Sequence, residues 1–282
     1  MTALQGKVVA ISGGARGIGE AAAGALAAQG ATVVVGDLDA DLAAESARAY
    51  DGTGLALDVT SRESFAGFLD QVLDTHGRID GLVNNAGIMV IGRHLESPLD
   101  AQLKQLDVNL RGVILGCHEV APRMVAAGGG QIINIASLAG RIATPGSAVY
   151  SATKAGVLAF TDALDAELTG TGVRVAAVLP SFTNTGLIDG TTSPALSPAI
   201  EPEQVAAAVV SLMRRHRSVA TVPRRLGLTG AQWALTPTRM RRWISRRAGL
   251  DAVFTEFDHA ARAGYEERAA RPTAADAPDS SS

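Results

Sequence analysis

Short apolar runs alternate along the chain with longer segments whose apolar residues recur at helical spacing. The runs are rich in β-branched residues and predict seven strands: Lys7–Ser12, Thr32–Gly36, Gly54–Leu57, Gly81–Asn84, Gln131–Ala136, Arg174–Leu179 and Ser218–Val222. The longer, alanine-rich segments predict six helices: Gly17–Gln29, Asp39–Tyr50, Ser61–His76, Asp100–Ala127, Ala148–Thr169 and Pro202–Arg215. Regular alternation of this kind is typical of a parallel sheet with helices on both faces. The pattern therefore predicts one doubly wound α/β domain over residues 1–222.

Two stretches depart from the alternation. Gly186–Ile200 is rich in Gly, Thr, Ser and Pro, which favours a mobile loop beside the active site. Residues 223–268 form a basic extension, and residues 269–282 are polar enough to predict a disordered tail.

Composition narrows the class of protein. Hydrophobic residues make up 47% of the chain and charged residues 19%, so a buried core is expected and wholesale disorder is excluded. The net charge of −3 gives no general attraction to nucleic acid. Cys117 is the single cysteine, no apolar run could span a bilayer, and the N-terminal segment does not resemble a signal peptide. We therefore expect a cytoplasmic protein, and we predict no metal site.

The first strand leads into a glycine-rich turn and then a helix. The turn reads Gly13-Gly14-Ala15-Arg16-Gly17-Ile18-Gly19. Glycines let the backbone approach a pyrophosphate closely, and the helix N-terminus offers free N–H groups to that anion. Because the turn lies between a strand and a helix, it predicts a dinucleotide site of the Rossmann type.

An acidic residue, Asp37, ends the second strand and indicates which dinucleotide is bound. Its carboxylate can accept hydrogen bonds from the adenosine ribose hydroxyls and would repel a 2′-phosphate. The next residue, Leu38, supplies no compensating charge. The sequence therefore favours NAD over NADP, although Arg16 in the turn could contact a 2′-phosphate.

Tyr150 and Lys154 lie four residues apart, so a helix places them on one face. A phenol with a pKa near 10 is a poor base at neutral pH. A nearby ammonium group lowers that pKa and brings proton transfer within reach. The pair is therefore a candidate acid/base site.

Taken together, these motifs resemble the short-chain dehydrogenase/reductase family over roughly residues 5–222. The glycine-rich turn matches the family's cofactor turn, and Asp58-Val59 matches its adenine-contacting element. Asn84-Asn85-Ala86-Gly87 matches the segment that supports the cofactor after the fourth strand. Four further positions match the catalytic tetrad: Asn109, Ser137, Tyr150 and Lys154.

This resemblance implies a role for each member of the tetrad. Tyr150 would exchange a proton with the substrate oxygen, and Ser137 would hydrogen-bond the same oxygen. Lys154 would hold the nicotinamide ribose and lower the pKa of Tyr150. Asn109 would anchor a water that passes protons between Lys154 and solvent.

The segment after the sixth strand matches the family less closely. It reads Pro180-Ser181-Phe182-Thr183-Asn184-Thr185, where Ser181 replaces a usual glycine and Thr183 a usual valine. By resemblance Pro180, Thr183 and Thr185 would contact the cofactor, with Thr185 at the carboxamide. The same resemblance implies a homodimer or homotetramer built on helices Asp100–Ala127 and Ala148–Thr169.

The extension has no counterpart in the family pattern. The window Gln204–Leu250 contains ten arginines and no acidic residue. From Thr238 onward Met240, Trp243 and Ile244 recur at helical spacing, which predicts a short basic amphipathic helix. Three interpretations stay open: packing on the domain or on a neighbouring subunit, peripheral contact with an anionic membrane, and a lid over a lipophilic substrate pocket.

The sequence thus predicts an oxidoreductase that moves a hydride between NAD(H) and a secondary alcohol or ketone. Its substrate is expected to be a small lipophilic molecule, because the charges near the pocket are catalytic and the loop and extension are rich in apolar residues. Two alternatives are an NADP-linked ketoreductase of acyl-chain synthesis and a non-catalytic nucleotide-sensing protein.

Overall fold

The computed structural model describes residues 4–193, 198–215 and 217–276. Its centre is a seven-stranded sheet in the order β3-β2-β1-β4-β5-β6-β7, with every neighbouring pair of strands parallel. The strands are β1 Val8–Ser12, β2 Thr32–Asp37, β3 Thr53–Ala56, β4 Gly81–Asn84, β5 Gly130–Ile135, β6 Val173–Pro180 and β7 Val219–Val222. The predicted doubly wound, Rossmann-type sheet of seven strands is confirmed.

Helices cover both faces of this sheet. They are α1 Gly17–Ala27, α2 Ala40–Arg48, α3 Arg62–His76, α4 Leu99–Leu106, α5 Gly112–Ala126, α6 Ala148–Glu167 and α7 Pro202–Arg214, followed in the extension by α8 Leu226–Leu235, α9 Thr238–Arg247 and α10 His259–Ala269. Among the described residues, no helix combines the length and the apolar character needed to cross a membrane.

Successive side chains of the central strands point to opposite faces of the sheet, so the core consists of two layers. In β1, Val8 and Ala10 face the layer that contains Phe65, whereas Val9 and Ile11 face the layer that contains Ala22. The first layer is filled from α3, α5 and α6, and the second from α1, α2 and α7. Because both faces are buried, each strand must be an apolar run, which is why the strands could be recognised in the sequence.

The order of the strands reverses between β1 and β4, which are neighbours although two strands separate them in sequence. Helices after β1 and β4 therefore leave the sheet in opposite directions and open a crevice at its carboxyl edge. The glycine-rich turn follows β1 at this edge, and Asn85 follows β4. The topology thus places the two motifs side by side.

The predicted helix Asp100–Ala127 is not continuous. α4 ends at Leu106, a π-helical turn spans Asp107–Arg111, and α5 begins at Gly112. Turns of this type are frequent at functional sites. Asn109 lies within this one and is fully buried.

The extension also differs from its prediction. One amphipathic helix was expected near Thr238, and α9 lies there, but α8 and α10 add two more helices. The sequence predicts a disordered tail from residue 269, whereas residues 270–276 follow a defined path in which Lys104 bonds both the Arg271 carbonyl and Asp276. Residues 194–197 of the predicted loop and 277–282 of the tail lie outside the described residues.

Candidate active site

A cavity of about 700 Å³ opens along the carboxyl edge of the sheet. Its walls come from the loops after β1, β2, β3, β4, β5 and β6 and from the extension. Ligands of open α/β sheets bind at such an edge, outside the carboxyl ends of the strands. The cavity is therefore the candidate active site.

The glycine-rich turn forms one end of the cavity and is tightly fitted against the loop after β4. A Cβ atom on Gly13 would lie 2.7 Å from the Ala86 Cα, and one on Gly19 would lie 2.2 Å from the Gly13 carbonyl oxygen. The Asn85 amide donates to the carbonyls of Ser12 (3.2 Å) and Gly13 (2.7 Å). Only glycine can occupy these two positions, so the backbone of the turn stays compact and an anion can approach the start of α1.

Asp37 lies at the end of β2, on the wall of the cavity. Its carboxylate accepts hydrogen bonds from the backbone N–H of Ala15 (3.3 Å) and of Asp39 (3.2 Å). Two cations approach the neighbouring carboxylate of Asp39: the Arg271 guanidinium at 2.9 Å and the Arg16 guanidinium at 3.8 Å. Arg271 holds the pKa of Asp39 below its usual value by hydrogen bonding. This end of the cavity therefore carries both acidic and basic groups.

Asp58 lies on the same wall, and its carboxylate accepts hydrogen bonds both from the nearby Thr60 and from the C-terminal segment. One carboxylate oxygen accepts from the Thr60 N–H (2.9 Å) and hydroxyl (2.8 Å), and the other accepts from the Ala274 N–H (2.6 Å). The Thr60 hydroxyl in turn accepts from the Ala275 N–H (3.2 Å). The C-terminal segment thus reaches the acidic residue that the family pattern places beside the adenine ring.

The candidate acid/base group lies deeper in the cavity. Tyr150 is 7% exposed, Ser137 is near enough to lower the pKa of its hydroxyl by hydrogen bonding, and the Lys154 Nζ lies 5.8 Å from the centre of its ring. The Ser137 hydroxyl also accepts from the Ala139 N–H (3.1 Å), and Lys154 donates to the Ile135 carbonyl (2.9 Å). β5, the turn after it and α6 therefore bring the three side chains together.

Burial sets the protonation of this group. It raises the pKa of Tyr150, against the lowering effect of the Ser137 hydrogen bond, and Tyr265 adds a further increase. Burial lowers the pKa of Lys154 to about 8. The sequence-based expectation that Lys154 lowers the pKa of Tyr150 is not met here, because loss of contact with water outweighs the other effects on the phenol. At neutral pH both groups carry their protons.

Asn109 lies behind Lys154. Its side chain accepts from the Ile88 N–H (2.8 Å) and donates to the Ile88 carbonyl (2.8 Å) and the Thr153 hydroxyl (3.3 Å). A Cβ atom on Gly87 would lie 3.3 Å from the Asn109 Oδ1 and 3.5 Å from the Lys154 Nζ, so both polar atoms converge on Gly87. Asn109 thus holds the loop after β4 in place. Its role in anchoring a water stays a prediction.

Most of the site residues predicted from the sequence line the one cavity. They are Gly13, Arg16, Gly17, Ile18, Asp37, Leu38, Asp58, Val59, Asn85, Ala86, Gly87, Ser137, Tyr150, Lys154, Pro180, Thr183 and Thr185. Three others are set back from it: Ala15 and Gly19 are buried beneath the glycine-rich turn, and Asn109 lies behind Lys154.

Sequence reasoning missed the contribution of α10. Arg262 is fully buried and donates hydrogen bonds to the carbonyls of Leu187 (3.0 Å), Asp189 (3.1 Å) and Met89. Tyr265 accepts from the Met89 N–H (2.7 Å), and its ring lies 4.6 Å from the Arg262 guanidinium. One helix of the extension therefore ties the loop after β4 to the loop after β6. We call this set of contacts the α10 clamp.

The extension also lines the cavity with aromatic rings. Trp233, Phe254 and Tyr265 face it, and Phe254 stacks on Phe182 with ring centres 5.6 Å apart. The only signal in the sequence was that large apolar residues continue after the family pattern ends. The extension therefore packs on the domain beside the cavity, and its interpretation as a lid stays a prediction.

Comparisons with known proteins identify the family of the chain. A family model described as short chain dehydrogenase matches residues 7–194. A 3-oxoacyl-[acyl-carrier-protein] reductase of Synechocystis is 38% identical over 82% of this chain and 95% of its own length. A 3-alpha-(or 20-beta)-hydroxysteroid dehydrogenase of Mycobacterium tuberculosis is 38% identical over 77% of this chain and 86% of its own. An uncharacterized oxidoreductase of Staphylococcus saprophyticus is 34% identical over 78% and 96%.

The fold, the cavity and these matches define an oxidoreductase that acts on CH–OH groups. The chain belongs to the short-chain dehydrogenase/reductase family, whose members bind a nicotinamide dinucleotide. The residues present fit such a cofactor. The glycine-rich turn provides the close backbone approach that a pyrophosphate needs, and Asp37 stands at the strand end where a ribose would lie.

Proposed function

We propose that this protein is an NAD(H)-dependent dehydrogenase/reductase of lipophilic secondary alcohols and ketones. The observation that carries the proposal is the position of Ser137, Tyr150 and Lys154 in one cavity whose remaining wall is largely apolar. The cofactor would supply or accept the hydride, and the protein would supply position and proton transfer.

The protein's own groups would handle the proton. In reduction the Tyr150 hydroxyl donates its proton to the substrate oxygen, and the Ser137 hydroxyl donates a hydrogen bond to the same oxygen. Ser137 can do so because its oxygen, not its hydrogen, is engaged by the Ala139 N–H. Lys154 places a positive charge beside the phenolate that forms. In oxidation the same proton moves in the opposite direction.

The proposed substrate class follows from the cavity wall around Tyr150. Apart from the catalytic groups, the lining of the cavity includes Leu138, Ile142, Phe182, Leu187, Trp233 and Phe254. Such a surface gains free energy by covering apolar groups of a ligand and offers few partners to a polar one. A relative named as a hydroxysteroid dehydrogenase supports a lipophilic substrate for this chain as well.

We expect NAD to be the preferred dinucleotide, because the Asp37 carboxylate would accept hydrogen bonds from the ribose hydroxyls and repel a 2′-phosphate. Replacing Asp37→Ser should lower kcat/KM for NAD on the order of ten- to a hundredfold, the value of hydrogen bonds to a charged group. Turnover of hydrophobic secondary alcohols with NAD or NADP, followed by absorbance of the reduced cofactor, measures the preference for NAD and the loss of kcat/KM in the variant. Asp41→Ser, an exposed position on α2, is the matched control.

A preference of the unchanged protein for NADP would contradict the assignment of Asp37. A failure of every secondary alcohol and ketone with both cofactors would contradict the proposed function itself.

We expect ketone reduction to fall as the pH rises past about 8. Burial lowers the pKa of Lys154 to about 8 and raises that of Tyr150, so the ammonium loses its proton first while the phenol keeps its own. kcat/KM for reduction should be level below that pH and fall about tenfold per pH unit above it. In Lys154→Arg the residual activity should lose this decline, because guanidinium does not titrate there. A level profile up to pH 10 in the unchanged protein would rule Lys154 out as the titrating group.

A second candidate is an NADP-linked reductase of acyl chains on an acidic carrier protein. Two observations favour it: Arg16 and Arg271 both line the cavity beside Asp37, and two similar proteins are 3-oxoacyl-[acyl-carrier-protein] reductases. These guanidinium groups could bind a 2′-phosphate. The comparison of NAD with NADP above tests the cofactor, and binding to an acyl-carrier protein would discriminate between the two candidates.

A further inference from the structure

α8 and α9 each line the cavity on one side and face solvent on the other. From α8, Leu226, Thr229 and Trp233 line the cavity. Leu228 and Leu235 are 75% and 87% exposed, and because they are seven residues apart they lie on one side of that helix. The two helices therefore form a wall that separates the cavity from solvent, with apolar side chains on both of its surfaces.

The outer side of α9 combines apolar and basic side chains. Met240 and Trp243 are 54% and 59% exposed, whereas Ile244 lines the cavity. Around them stand exposed arginines, and the Arg247 guanidinium lies 5.5 Å from the Trp243 ring. We call the exposed side chains of these helices the α8–α9 face: Leu228, Leu235, Arg239, Met240, Arg242, Trp243, Arg246 and Arg247.

The part of the chain that the structure describes does not neutralise the charge of this face. Within 4–193, 198–215 and 217–276, no carboxylate forms an ion pair with any of its four arginines. The surrounding window, Gln204–Leu250, contains ten arginines and no acidic residue. An anionic partner is thus favoured by charge complementarity.

The apolar members of the face narrow the choice of partner. A second copy of the chain, related by a twofold axis, would bring this arginine-rich face against itself. An acidic protein would match the arginines, but Leu228 and Leu235 would need a complementary apolar surface. A bilayer with anionic headgroups satisfies both parts, because arginine reaches the headgroups while tryptophan and leucine enter the interfacial region.

We propose that the α8–α9 face docks the protein on an anionic lipid bilayer, directly outside the cavity wall. A lipophilic substrate could then enter the cavity from the bilayer without crossing water. Only this last point rests on the proposed function, since binding to vesicles requires no turnover.

Co-sedimentation with vesicles tests the proposal. The protein should bind vesicles of phosphatidylcholine with phosphatidylglycerol at low salt, bind phosphatidylcholine alone much less, and be released as salt is raised. Reversing two charges, Arg242→Glu with Arg246→Glu, should reduce partitioning by more than about 25-fold, at about fivefold for each basic residue. Leu235→Ser with Trp243→Ser should reduce it about tenfold or more by removing the apolar contact.

The matched control is Arg48→Glu with Arg174→Glu, two exposed arginines outside the face, which should bind almost as the unchanged protein does. Turnover of a short, water-soluble alcohol should be the same in all these variants. Absence of binding to anionic vesicles would overturn the proposal. So would binding that survives the serine variant unchanged, or a serine variant that alters the oligomeric state in light scattering while no form binds vesicles.

Discussion

Tyr150→Phe is expected to lower kcat about 10²- to 10⁴-fold in both directions of the reaction, which is the range for removal of a general acid or base. The change removes one oxygen atom from a buried side chain and keeps its ring. Packing against Met89, Ile91 and Phe254 is kept, so the protein should fold and bind the dinucleotide with little change. Steady-state turnover measures the fall in kcat, and titration calorimetry measures the affinity for the dinucleotide.

The burial of Tyr150 is what makes this prediction specific. A phenol whose pKa is raised keeps its proton at neutral pH, so it is ready to donate in reduction. Phenylalanine has no proton to give, and the Ser137 hydroxyl alone can only polarise the substrate oxygen. Tyr50→Phe is the control, because Tyr50 packs in the core layer of α1 and α2, away from the cavity. Turnover within tenfold of the unchanged protein would remove Tyr150 from the chemistry.

The sheet could be predicted because its strands are buried on both faces. β4 begins and ends at the predicted residues, and β1 and β7 each begin one residue later than predicted. The cavity side chains could be predicted for a different reason: the glycine-rich turn, Asp37 and Ser137 each lie at or just after the end of a strand. Parallel strands bring their carboxyl ends to one edge, so short-range motifs converge without any knowledge of long-range contacts.

The structure differs from the prediction where contacts with residues distant in sequence determine the local structure. The π-helical turn at Asp107–Arg111 accompanies the hydrogen bonds between Asn109 and Ile88, which are far from each other in sequence. Helical spacing alone predicts a continuous helix there. Similarly, Ala274 bonds to Asp58 and Arg271 to Asp39, although the polar composition of this segment favours disorder. Neither contact leaves a pattern in the neighbouring sequence.

Arg262 is the clearest case of a site residue that the sequence concealed. The α10 segment, HAARAGYEERA, reads as an exposed, charged helix. Arginine is rarely buried without a partner, and here the partners, besides Glu266 on the same helix, are three backbone carbonyls from two distant loops. Carbonyl groups leave no trace in side-chain composition, so the α10 clamp could be found only from coordinates.

Arg262→Met is expected to raise KM for lipophilic substrates on the order of tenfold and to change kcat much less. Methionine fills a similar volume but leaves three carbonyls without their donor: the Met89 carbonyl, whose bond is buried, and the partly buried carbonyls of Leu187 and Asp189. A buried unsatisfied group costs about 1–3 kcal/mol. The loop that carries Leu187, a cavity residue, should then loosen. The same loss should lower the melting temperature by about 10 °C if about 3–5 kcal/mol of stability is removed.

Two further variants separate positioning of the loop from a general loss of stability. Glu266→Gln removes the exposed end of the 3.4 Å ion pair with Arg262 and should change neither KM nor the melting temperature appreciably. Tyr265→Phe keeps the ring beside the guanidinium but leaves the Met89 N–H without its acceptor, so it should raise KM less than Arg262→Met does. If both clamp variants melt lower while KM for every substrate stays constant, the clamp stabilises the fold only. A rise in KM that is larger for bulky substrates than for short ones would instead locate its effect at the cavity wall, where Leu187 meets the ligand.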